Sequence, residues 1–65
     1  MKVYELTYVT FGYGEGICLV AANNHEEALE VANRGCYKFE EPQECHILTA
    51  DCEEPRVLIE MVYQE

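Results

Sequence analysis

The chain has 65 residues, of which 49% are hydrophobic, and its formal net charge at pH 7 is −9. A chain this short folds as one domain with a small core, so we predict a single domain over residues 1–65 that needs additional stabilisation. Thirteen acidic residues against four scattered basic ones exclude a nucleic-acid-binding surface and argue against phosphorylated substrates, because binding phosphates requires clustered cationic side chains.

The first two predicted elements are strands that form a hairpin. Residues 2–11 (KVYELTYVTF) are rich in the β-branched and aromatic residues that favour strands. Residues 17–22 (ICLVAA) are apolar at every position, which is typical of a strand inside a sheet.

The segment between these strands has the spacing G-x-G-x-G at residues 12–16. A phosphate-binding loop needs a helix directly after its glycines, whereas a strand follows here, and the glutamate inside the segment would repel a phosphate. We therefore predict a hairpin turn centred on Tyr13 and Gly14, which pairs Phe11 with Gly16.

A helix of about three turns is predicted after the second strand. Asn24 and Glu27 match a capping box at its start, and Gly35 is predicted to end it in a left-handed conformation. Four residues form the predicted buried stripe, with Leu29 as its largest member: Ala28, Leu29, Val31 and Ala32. We expect the Leu29→Ala substitution to be severely destabilising.

Two further strands are predicted at residues 44–50 (ECHILTA) and 56–63 (RVLIEMVY), with a turn over residues 51–55. The predicted order is therefore β-β-α-β-β. This order indicates the α+β class, with an antiparallel sheet and one helix packed on one face of it.

Alternation along the strands predicts a second apolar face on this sheet. In the predicted register, Tyr4, Leu6 and Tyr8 share the helix-facing side with Ile17, Leu19 and Ala21. One helix cannot cover both faces, so we expect a homodimer that buries the other one. The candidate interface residues are Val9, Phe11, Val20 and Val62. Pairing of two sheet edges is the alternative geometry.

The four cysteines are Cys18, Cys36, Cys45 and Cys52. Their spacings contain no C-x-x-C knuckle, so we predict free, packed thiols and no metal site. The chain contains no serine, and Cys45 and His46 would point to opposite faces of a strand, so a catalytic thiol–imidazole pair is not expected.

These patterns predict a non-enzymatic protein-interaction module, acting as a homodimer or a small adaptor, without cofactor or catalytic residues. Two alternatives remain open. One is an acidic inhibitor or antitoxin-like protein that binds a basic partner. The other is a metal-binding or thiol protein that uses Cys36, Cys45 or Cys52 with a histidine. The chain shows no signal-peptide pattern and no apolar run that spans a membrane, so we expect it to be cytoplasmic and to bind no membrane.

Overall fold

The computed structural model of the chain describes residues 1–8, 14–35 and 37–64. These residues form four strands and one helix, in the order β1 (Lys2–Tyr8), β2 (Gly14–Ala22), α1 (His25–Ala32), β3 (Phe39–Thr49) and β4 (Arg56–Gln64). The strands form one antiparallel sheet in the order β3-β1-β2-β4. The predicted α+β class and the β-β-α-β-β order are therefore confirmed.

The register of β1 and β2 differs from the predicted one by three positions, because Ile17 pairs with Thr7 and not with Thr10. Gly14 already belongs to β2, where it pairs with Gln64 of β4, so it does not form the centre of a turn. The other residues of the predicted turn lie outside the described part of the chain.

The observed register is the one that places large side chains against small ones beneath the helix. Leu6 stands opposite Cys18 and Tyr4 opposite Val20, and all four are essentially inaccessible to solvent. Together with Phe39 of β3 they form the core. Because side chains alternate along a strand, a shift by an odd number of residues would move these groups to the other face. Core packing, rather than the glycines, therefore sets the register.

Helix α1 begins at the predicted cap. The Asn24 side chain accepts a hydrogen bond from the backbone N–H of Glu27 (2.8 Å). The Glu27 carboxylate accepts from the backbone N–H (2.8 Å) and the side-chain amide (2.9 Å) of Asn23, one residue earlier than a regular capping box.

The helix packs on the sheet through small residues, namely Ala28, Val31 and Ala32. Leu29 is 37% exposed, so the prediction that it fills the space beneath the helix was wrong. Small side chains let the helix lie close to the sheet, and a stripe this narrow leaves Leu29 on its flank.

Asn33 ends the helix, two residues before the predicted stop at Gly35. Its backbone has φ −92°, and its side chain reaches the first residue of β3. The backbone N–H of Phe39 donates to Asn33 Oδ1 (2.7 Å), and Asn33 Nδ2 donates to the Phe39 carbonyl (3.2 Å). The side-chain amide thus fixes the return of the chain from the helix to the sheet.

The connection from β3 to β4 passes from one edge of the sheet to the other, since these two strands are the outermost ones. It passes the end of the sheet where Ala50 exchanges two hydrogen bonds with Met1, of 2.8 and 2.9 Å. Next to this end, Val3 and Ala21 are buried although they face away from the helix.

Candidate interaction surface

Strand β4 lies at one edge of the sheet and carries more exposed apolar side chains than any other described strand. Four of its side chains are between 37% and 50% exposed: Val57, Leu58, Ile59 and Met61. Its inner side pairs with β2, and no described strand pairs with its outer side. The outer backbone N–H and C=O groups of an edge strand can hydrogen-bond to another strand.

The exposed apolar surface continues from β4 onto the sheet face that is opposite the helix. Paired residues of neighbouring strands share a face, and here Met61 pairs with Ile17 while Ile59 pairs with Leu19. We call these four residues the apolar strip; Ile17 and Leu19 are half-buried. The same face is polar on its other half, where Glu5 pairs with Gln43 and Thr7 with Glu40.

Strand β4 has one irregularity. Ile59 pairs with Leu19 and Val57 pairs with Val20, so Leu58 is an extra residue in the ladder. From Ile59 to Gln64 the pairing with β2 is continuous. A bulge disturbs the outer edge as well as the inner one, and therefore the regular part of this edge is the segment 59–64.

The opposite edge, β3, has several of the features by which proteins prevent edge pairing. Pro42 lies within the strand, Glu41 has φ 56°, and the pairing with β1 shifts twice. One shift occurs around Glu41 and Pro42, and the other leaves the residues between Glu44 and Thr49 without a partner in β1. Ile47 in this second irregularity is 95% exposed.

Charged groups add to the protection of β3. Glu44 lies 3.5 Å from the Lys2 ammonium and 3.7 Å from Nδ1 of His46. The exposed glutamates Glu40 and Glu41 stand at the start of the strand. In contrast, Glu60 is the one acidic residue in the span of β4. The two edges therefore differ in how open they are to a further strand.

The predicted interface residues take different positions from those expected. Val20 is fully buried in the core on the helix side, so it cannot contribute to an exposed interface. Val62 is half-buried and packs against the same core. Val9 and Phe11 lie outside the described residues. The shifted register explains the change, since it exchanges the two faces of β2.

The described cysteines Cys18, Cys45 and Cys52 are free thiols. Cys18 is buried in the core, where burial and, secondly, the carboxylate of Glu60 raise its pKa to about 11. Cys45 and Cys52 are half-buried, and Cys36 lies outside the described residues. A thiol with a raised pKa is a poor nucleophile and a poor metal ligand at neutral pH.

In the described part of the chain, no group of three or more His, Cys, Asp or Glu side chains is placed to hold a metal ion. An open depression follows the acidic turn at residues 51–56, and a shallow one lies beside Gly16 and Met61 at the apolar strip. The first is lined by Cys52 beside the carboxylate residues Asp51, Glu53 and Glu54, and the second by Glu15, Gly16, Ile17 and Met61.

No protein-family profile, curated protein or solved structure matches this chain. Among the described residues, no helix has both the length and the apolar character needed to cross a membrane. The geometry of β4 and the apolar strip is therefore the basis for inferring a function.

Proposed function

We propose that this chain is a non-enzymatic protein-interaction module that forms a homodimer through the edge of β4 and the adjoining apolar strip. The observation that supports this most directly is the exposure of Val57, Leu58, Ile59 and Met61 along an unpaired edge. Pairing with a second β4 would satisfy its outer backbone groups and remove these side chains from water.

The size of the chain supports the same proposal. Sixty-five residues bury a small core, and the described cysteines form no disulfide that could add stability. A self-complementary interface is a common way for a small domain to extend its core, because a two-fold axis applies each contact twice.

The negative charge of the chain opposes dimerisation, but Glu60 is the single acidic residue in the span of β4. Glu26, Glu27 and Glu30 belong to the helix, and Glu53 and Glu54 to the turn before β4. The repulsion between two such chains acts over a distance and is screened by salt. We therefore expect the homodimer to become tighter as the salt concentration rises.

A second candidate occupant of the same edge is an extended segment of a basic protein. The net charge of −9 and the sequence pI of about 4.4 favour this alternative, in which the chain acts as an acidic inhibitor or adaptor. Attraction between opposite charges weakens as salt is added, so the salt dependence of binding has the opposite sign. In either case we propose a cytoplasmic setting, which the free thiols fit.

Sedimentation at micromolar concentration tests the homodimer. The wild-type chain is expected to sediment as a dimer, and Met61→Lys is expected to be a folded monomer by circular dichroism. Ile47→Lys is the matched control, because it changes an even more exposed apolar residue on the opposite edge and should leave the dimer intact. A wild-type chain that stays monomeric over the full concentration range would refute the proposal.

A further inference from the structure

From the arrangement of β4 we infer how the two copies meet. Their β4 strands pair antiparallel about a two-fold axis at Met61, and the two sheets join into one of eight strands. This inference rests on the proposed homodimer and adds its register to it. An axis perpendicular to the sheet keeps both helices on the same face, so each residue must pair with one that points to the same side.

The pattern of faces along β4 restricts the position of this axis. Ile59 and Met61 lie on the face opposite the helix, whereas Glu60 and Val62 pair with Cys18 and Gly16 and lie on the helix side. An axis between two consecutive residues would pair side chains from opposite faces. The axis must therefore pass through a residue, and the bulge at Leu58 limits the choice to the regular segment that follows it.

Three positions for the axis, at Glu60, Met61 and Val62, keep Met61 paired within the segment 59–64. An axis at Glu60 would place two carboxylates directly opposite each other, at about 5 Å between Cβ atoms, which is destabilising. An axis at Val62 would pair residues 60–64 of the two copies and leave Ile59 without a partner in the described part of the strand. An axis at Met61 places Ile59 opposite the partner's Tyr63, and Glu60 opposite the partner's Val62. Of these three positions, Met61 alone avoids opposing two carboxylates and pairs Ile59 within the described strand.

This register also extends the apolar strip across the two chains. Met61 meets the partner's Met61 at the axis, and Ile59 lies next to it on the same face. Ile17 and Leu19 lie one strand further from the axis on each side. The two strips then form one continuous apolar band on the face opposite the helices, which is the surface that such a dimer would offer to further partners.

Single-cysteine cross-linking tests the register. The background chain has all four cysteines replaced by alanine, because Cys18 pairs with Glu60 and could form an intramolecular disulfide with a cysteine placed there. In the inferred dimer, the two copies of residue 61 face each other at about 4.5–5.5 Å between Cα atoms, a distance that a disulfide can bridge. We therefore expect Met61→Cys to form a disulfide-linked dimer under mild oxidation, and Glu60→Cys and Val62→Cys to do so at least tenfold more slowly.

Ile17→Cys separates edge pairing from face-to-face packing. In the inferred dimer the two β2 strands are three strand spacings apart, about 14 Å, so this variant should not cross-link. In a face-to-face dimer residue 17 would lie in the interface. If Ile17→Cys, Glu60→Cys or Val62→Cys reacts fastest, the inferred register is wrong while the homodimer stands. The register is equally wrong if sedimentation shows a dimer and none of these variants cross-links.

A wild-type chain that sediments as a monomer would instead remove the homodimer itself, and with it the register. Hydrogen exchange on the unmodified chain gives a second readout that needs no substitution. The outward backbone amides between Ile59 and Gln64 should exchange at least tenfold more slowly at dimer-forming concentrations than after dilution. Unchanged exchange in a chain that dimerises would overturn the edge pairing.

Discussion

Replacing Asn33 by alanine should destabilise the fold by about 1–3 kcal/mol. The Asn33 side chain makes two partly buried hydrogen bonds to the backbone of Phe39, of 2.7 and 3.2 Å. A hydrogen bond contributes about 0.5–1.5 kcal/mol net, and the substitution removes both of them at once. It also leaves the N–H and C=O groups of Phe39 without these partners, at the point where a fully buried side chain enters the core.

Urea unfolding followed by far-ultraviolet circular dichroism measures this effect, since the chain has no tryptophan for fluorescence. All variants are compared at one protein concentration, because dimerisation would shift the midpoint. Asn23→Ala is the matched control: its side-chain amide bonds to Glu27 in an exposed position, and its loss should cost below about 0.5 kcal/mol. A stability of Asn33→Ala within about 0.5 kcal/mol of the wild type would refute the reasoning.

Further predictions concern three positions. Leu29→Ala should lower the free energy of unfolding in urea by about 1 kcal/mol or less, because this side chain is 37% exposed and alanine favours helix. A decrease of more than about 2 kcal/mol would show that Leu29 belongs to the core. Gly16→Ala should destabilise the fold by about 1–3 kcal/mol, because a Cβ there would lie 2.7 Å from Tyr8 Cβ and 2.9 Å from the Met61 carbonyl oxygen. An unchanged midpoint of thermal unfolding would contradict this close approach of the three strands at Gly16. Cys18 should resist thiol reagents at pH 8 while Cys45 and Cys52 react. Because its pKa rises from 9.0 to about 11 on folding, its contribution to stability is present below pH 9 and is lost as the pH rises through 11, a decline that Cys18→Ala should reduce.

The fold class was predictable because each element has a local signal that its surroundings support. Asn24 caps the helix as the sequence indicates, and the strand-forming residues of β1 and β4 lie within strands. The start of β3 was not predictable from local signals. Phe39 begins this strand because its side chain fills the core and Asn33 fixes its backbone, and both are tertiary contacts.

The candidate surface was only partly predictable. A second apolar sheet face was expected, and the structure places Ile17, Leu19, Ile59 and Met61 there. Its residues could not be identified without the register of β1 and β2, because a three-position shift exchanges the faces of a strand. The clearest signal in the sequence was the run of apolar residues from Val57 to Ile59, since an internal antiparallel strand with one covered face alternates more regularly.

The strand order β3-β1-β2-β4 has a consequence for how the chain folds and opens. The two central strands form a hairpin that is close in sequence, whereas β3 and β4 both join it from the second half of the chain. Closing a long loop costs more entropy than closing a hairpin, so the hairpin can form first and serve as a template for both outer strands. The order of local opening should be the reverse. In the monomer, strand β4, which packs less against α1 than β3 does, would detach at a lower free energy than the hairpin. The central hairpin would then stay formed while β4 opens, and dimerisation through β4 would oppose this opening.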